Sequence, residues 1–122
     1  MPATTTHASQ LIYGRYLYHL AKAKNTAGLP TLEAEEEDFL AHIYRITSQG
    51  QPLGVVAAMW LKTGRSSSTN FRVIKKLRVQ GWITIQAGEE DERTKWIEVS
   101  KLGLRYFSLD EKSMLKALSK AA

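Results

Sequence analysis

The chain has 122 residues, 43% of them hydrophobic, with 17 Lys and Arg against 12 Asp and Glu and no cysteine. The length suits one domain with one core, the lack of cysteine excludes disulfides and thiolate chemistry and points to a reducing cytoplasm, and no apolar run approaches the roughly 20 residues needed to cross a bilayer. The formal net charge of +5 fits a nucleic-acid partner or an anionic surface without choosing between them.

Residues 1–8 are small, polar and Thr-rich, and read as a disordered tail without the basic and apolar regions of a secretory signal. From Ser9 or Gln10 to about Asn25, Leu11, Ile12, Tyr16 and Leu20 recur at helical spacing, with Tyr13 and Leu17 alongside. Gly28 and Pro30 end this element. The helix is too apolar to stand in water alone and must pack on the domain or on a second subunit; the subunit contact is favoured, so residues 9–28 are expected to dimerise the chain. A second helix, capped by Thr31 or Glu33, runs to about Ser48. Glu33, Glu35, Glu36, Glu37 and Asp38 complement the positive end of its dipole and read as a solvated face. Phe39, Leu40, Ile43 and Ile46 or Thr47 form its buried face.

SQGQP at 48–52 is a turn, and Leu53 begins a very short strand. A short helix over Gly54 to Lys62 or Thr63 is broken by Thr63–Ser66, with Gly64 suited to the left-handed position of a helix end. Ser66 or Ser67 caps a further helix over 67–80, closed by Gly81. Helix, short turn and helix make a helix-turn-helix. Val73, Ile74 and Leu77 are the buried stripe of the second helix; Ser68, Thr69, Arg72, Lys75 and Lys76 lie elsewhere on its circumference. Short hydroxyls and an Arg in the first turns of a basic helix suit a major groove, where Arg pairs bidentately with guanine and a helix N-terminus favours phosphate. Solvation and capping alone account for the same residues equally well.

Two strands follow, Trp82–Gln86 and Thr94–Val99, joined by a polar loop, AGEEDER. Strands so short must pack on the helices. A last helix starts at Ser100 or Lys101 and continues an apolar stripe through Met114, Leu115 and Leu118, with an interruption expected at Ser108–Asp110. Residues 62–105 hold ten basic groups against five acids, so the basic excess sits mostly in the helix-turn-helix and hairpin. The fold class is mainly α with a small β-wing: a winged helix-turn-helix over 29–103, flanked by dimerisation helices at 9–28 and 104–122.

The run Asp91–x–Arg93–x–x–x–Ile97–x–Val99–Ser100–x–x–Gly103 resembles the wing signature D-x-R-x-x-x-V-x-L-T-x-x-G of MarR-type winged-helix regulators. The stretch from Ser68–Thr69 through Arg72 to Leu77 and Gly81 resembles their recognition helix, and the resemblance spans roughly Leu32–Gly103. It implies a homodimeric repressor on a pseudo-palindromic duplex, with recognition helices in successive major grooves. Ser67, Ser68, Thr69 and Arg72 would face the groove; Arg65, Lys75, Lys76 and Lys95 would meet phosphates. Asp91 would orient Arg93 by a salt bridge, and Arg93 would approach the minor groove or its phosphates. A small aromatic effector is implied too, with Tyr13, Tyr16, His19 and Trp60 as lining residues, against the plainer reading of these as core or interface aromatics.

Two departures from the pattern bear on function. Asn70 stands where the family usually has an apolar residue, so either it is buried and paired, or the helix is rotated and Asn70 reads a base. The wing tip holds Glu89, Glu90, Asp91 and Glu92, which repel phosphate. A winged-helix protein-interaction module, or a plasmid or phage replication or partition factor, is the alternative. His7, His19 and His42 form no metal or catalytic spacing, and no phosphate loop or nucleophile elbow occurs. The expectation is a cytoplasmic, nucleoid-associated protein that is not an enzyme, has no cofactor and no metal, and partners double-stranded DNA and itself.

Overall fold

The structure is a computed structural model that describes residues 8–89 and 93–121. The tail expected at 1–8, with His7, falls almost wholly outside the described residues, as do Glu90, Asp91 and Glu92. The element order is α1 (Ala8–Ala27), α2 (Ala34–Thr47), β1 (Leu53–Gly54), α3 (Val55–Met59), α4 (Ser67–Val79), β2 (Ile83–Ala87), β3 (Lys95–Val99) and α5 (Lys101–Ala121). The chain divides into two compact units, one from Thr31 to Leu104 and the other made of α1 with the part of α5 from Arg105 onward.

In the Thr31–Leu104 unit, α2 starts where Glu33 takes extended backbone angles and the Glu36 carboxylate accepts from the Glu33 amide at 3.1 Å. Its apolar stripe, Phe39, Leu40 and Ile43, is fully buried. Opposite it lie Val73, Ile74 and Leu77 of α4, also fully buried, so the two helices bury the stripes expected of them. The sheet has the order β1-β3-β2 and is antiparallel throughout. Leu53 pairs with Ile97 and Gly54 with Trp96, while β2 and β3 pair from Ile83↔Val99 to Ala87↔Lys95. Alternation along the strands sends Ile83 and Ile97 into the core beside Trp82 and leaves Thr84, Gln86 and Glu98 exposed. This is the winged helix-turn-helix expected from the sequence: a mainly helical unit with a small hairpin wing.

The helix-turn-helix differs from expectation in one respect. The first helix ends at Met59 rather than at Lys62 or Thr63, and Trp60–Ser66 forms the connection. The cause is a side chain from the next helix. Asn70 Nδ2 donates to the carbonyls of Met59 (2.8 Å) and Leu61 (3.2 Å), taking acceptors that a continuing helix would give to its own amides. At the far end, α4 stops in a Schellman arrangement: Trp82 N donates to Leu77 O at 2.9 Å and Gly81 N to Arg78 O at 3.1 Å, with Gly81 at φ 90°.

The start of α5 is fixed to the base of the wing. Ser100 N donates to Trp82 O (3.1 Å), the Ser100 hydroxyl donates to Gly81 O, and Gly103 N donates back to the Ser100 oxygen at 3.2 Å. A Cβ on Gly103 would lie 2.5 Å from Val99 Cγ1 and 2.7 Å from Trp82 O, and the latter is backbone that cannot turn aside. Gly103→Ala is therefore expected to destabilise the protein by about 1–3 kcal/mol, the usual range for overpacking, read as a lower urea midpoint with an unchanged slope.

In the other unit, Tyr16 OH donates to the Asp110 carboxylate, and Lys24 Nζ sits 5.0 Å from the centroid of the Tyr106 ring. Tyr106, Phe107, Ser113 and Ala117 are buried. The expected interruption at Ser108–Asp110 is absent, and α5 is continuous: Asp110 has the Tyr16 hydroxyl as partner, and Ser113 bonds back to Leu109 O within the helix. Leu11, Tyr13, Leu17 and Tyr18 of α1 and Met114, Leu115 and Leu118 of α5 are exposed.

Candidate nucleic-acid interface

The exposed side of α4 is where basic and hydrogen-bonding side chains gather. Ser66 takes extended angles as the N-cap, and its Oγ accepts from Thr69 N at 3.2 Å, which leaves Ser67 and Ser68 to open the helix. From there the exposed positions are Ser68, Phe71, Arg72, Lys75, Lys76, Arg78 and Val79. Ser67 and Thr69 are half-buried. The helix begins with short hydroxyls and gains cations as it proceeds, an arrangement suited to anions and to polar base edges.

Asn70 does not belong to that face. It is fully buried; Nδ2 holds the Met59 and Leu61 carbonyls, and Oδ1 accepts from Thr63 Oγ1 at 2.9 Å. Of the two alternatives open in the sequence, the structure takes the buried, paired one. Its assignment as a DNA-contacting residue is corrected accordingly: a side chain with every polar atom engaged inside the turn offers none to a base edge.

The acidic run of α2 also departs from a merely solvated helix face. Glu35 Oε1 is 3.0 Å from Arg72 NH2, Asp38 Oδ2 is 3.0 Å from Arg65 NH1, and the buried Glu36 carboxylate is 3.9 Å from Lys76 Nζ. Three cations of the candidate interface thus face carboxylates from a helix distant in sequence. Arg72 and Glu35 keep 54% and 34% of their side-chain surface in solvent, so water and salt screen this pair and it adds little to stability. Its effect falls on the potential that an incoming anion meets.

Lys75 is arranged differently: its ammonium lies 4.9 Å from the centroid of the Phe71 ring. Phe71 was not singled out from the sequence, although its spacing of three from Ser68 and four from Lys75 places it between them on the exposed face. Arg78, in the last turn, is likewise exposed and was likewise passed over.

On the wing, Arg93 and Lys95 are exposed. The Asp91–Arg93 salt bridge lies outside the described residues. The aromatic residues named for an effector divide between the units. Tyr13, Tyr16 and His19 lie on α1, with Tyr16 bonded to Asp110 and the His19 ring edge-on to Tyr18 at 5.4 Å, whereas Trp60 is 70% exposed at the end of α3. No group of three or more His, Cys, Asp or Glu that could hold a metal occurs among the described residues.

No protein-family profile matches the sequence, and no curated protein matches it. Solved structures do. The transcriptional regulator Tm0710 from Thermotoga maritima superposes with a TM-score of 0.62 at 16% identity, over 89% of this chain and 71% of that one. The heme sensor protein PefR from Streptococcus agalactiae, in complex with heme, gives 0.57 at 20% identity over 93% and 74%. Bordetella bronchiseptica BpsR, whose DNA binding is regulated by 6-hydroxynicotinic acid, gives 0.50 at 15% identity over 93% and 82%. The chain shares with these proteins the winged helix-turn-helix fold of transcriptional regulators.

Proposed function

We propose that the chain is a MarR-type transcriptional regulator, a repressor that binds a pseudo-palindromic duplex site as a homodimer through recognition helix 67–80 and wing 82–99. The observation that carries this reading is the exposed face of α4, where Ser68, Arg72, Lys75 and Lys76 stand together on the second helix of a winged helix-turn-helix. The similar structures named as transcriptional regulators support it, as does the MarR-like spacing from Asp91 to Gly103. Groove-facing roles go to Ser67, Ser68, Thr69 and Arg72, and phosphate contacts to Arg65, Lys75, Lys76, Arg93 and Lys95. Exposed leucines and tyrosines on α1, with Met114, Leu115 and Leu118 on α5, support self-association through those helices. A small aromatic effector belongs to the same reading, as do a cytoplasmic location and a non-enzymatic role. Among the described residues no helix is long and apolar enough to cross a membrane.

Selection of bound duplexes from a random pool, with the mass of the free protein, tests the proposal. The expected result is one enriched, two-fold-related sequence held by a dimer, with affinity falling steeply as salt rises because phosphate contacts release counterions. A pool that never enriches, or binding indifferent to salt, would overturn it.

One observation favours a second reading, a protein-interaction module on the same fold: Arg65, Arg72 and Lys76 already face carboxylates of α2. The two readings separate on Glu35→Gln. If α4 meets DNA, removing the carboxylate beside Arg72 lifts a competitor and is expected to raise affinity about two- to tenfold at low salt, with the gain shrinking as salt screens it. The measurement is a titration of the selected duplex at two ionic strengths. An interaction module has no such duplex affinity to gain.

A further inference from the structure

Phe71 is the one large apolar side chain in the first half of the exposed face of α4. The buried stripe of the helix is complete without it, since Val73, Ile74 and Leu77 are fully buried while Phe71 keeps 38% of its surface in solvent. With Ser68, Arg72, Lys75 and Val79 it lines one shallow depression on this helix. The ring lies between Ser68 and Lys75, and Arg72 is its immediate neighbour. One face of the ring carries the Lys75 ammonium. An aromatic group left half in water, ringed by cations, fits an occupant that is polyanionic and yet offers an apolar group. In a major groove that group is the 5-methyl of thymine, the one apolar feature among the base edges.

We propose that Phe71 is a specificity-determining residue that packs against a thymine methyl in each half-site, next to the base read by Arg72, while its ring holds Lys75 toward the phosphates. This rests on the duplex-binding reading above and adds to it an apolar contact. Serine and lysine cannot make that contact, and neither can a phosphate-bound arginine.

The test is a thymine-to-uracil scan of the selected duplex. Uracil pairs as thymine does and differs only in lacking the methyl group. For the unaltered protein, one thymine position per half-site is expected to lose about three- to fivefold in affinity on substitution, the size of one buried methyl. Phe71→Ala is expected to bind thymine and uracil equally at that position, and Phe71→Leu to keep most of the preference. Phe71 is not part of the buried core, so both variants should melt with the parent. A retained duplex with no uracil-sensitive position overturns the proposal alone, as does a preference that survives Phe71→Ala. If Phe71→Ala instead changes the mass of the free protein, the ring packs on a second copy and the proposal also falls. Failure to retain any duplex removes this inference together with the reading beneath it.

Discussion

Replacing Asn70 by Ala is expected to cost about 2–4 kcal/mol, as much as truncating a buried apolar side chain of the same helix. The side chain has no access to solvent and makes three hydrogen bonds, to Met59 O, Leu61 O and the Thr63 hydroxyl. Truncation takes the side-chain donor from the Met59 carbonyl and the acceptor from the Thr63 hydroxyl, while the Leu61 carbonyl keeps the Thr63 amide at 2.9 Å; a stranded group costs about 1–3 kcal/mol, and the lost side chain adds a small cavity. The thermal midpoint should fall by roughly 10 °C for a chain of this size. Asn70→Asp is the sharper experiment. It keeps the shape but turns a carboxylate oxygen on two carbonyl oxygens, so it should be no better than Ala and should improve as the pH drops far enough to protonate it. If Asn70→Leu proved as stable as the parent, packing rather than hydrogen bonding would be what holds the turn.

Arg72→Ala is expected to weaken binding of the selected duplex about ten- to a hundredfold and to relax the sequence at one base position per half-site. Arg72→Lys should recover little of this, because an ammonium restores the charge and not the paired donors. Those outcomes are distinct from a phosphate role, in which Lys would substitute well and the loss would be uniform across sequences with a shallower salt slope. The contact with Glu35 at 3.0 Å sharpens the forecast. In Arg72→Ala the carboxylate is left facing the interface, so part of the loss is repulsion, and Arg72→Ala combined with Glu35→Gln should recover some affinity without recovering sequence preference. Fluorescence titration of matched duplexes differing at that one base measures both quantities.

Much of the fold could be read directly. Apolar spacing located α2, α4 and the hairpin to within a few residues, and Gly81 marked the end of α4 because a left-handed residue was needed there. The Gly103 of the wing signature acquires its reason only in three dimensions, where the Trp82 carbonyl and Val99 close over it. What stayed hidden depends on contacts between residues distant in sequence or on small energy balances. The early end of α3 is set by an amide from α4, and no local propensity encodes that. The pairing of α2 acids with α4 cations requires knowing how the two helices lie, since a glutamate at 35 and an arginine at 72 carry no mark of each other. Phe71 escaped notice because an aromatic residue on a helix is read by default as core, and only its exposure in the fold separates it from Val73 and Ile74.

The carboxylates of α2 sit beside α4 without being part of it. On the duplex-binding reading, that separates two properties which regulators often vary together. Substitutions at Glu35 or Asp38 shift occupancy on every sequence by a similar factor, since they alter a field rather than a base contact. Substitutions at Phe71 or Arg72 change which sequences are preferred. A lineage could therefore adjust the concentration at which its sites fill, keeping the same sites, through mutations on a helix that never enters the groove.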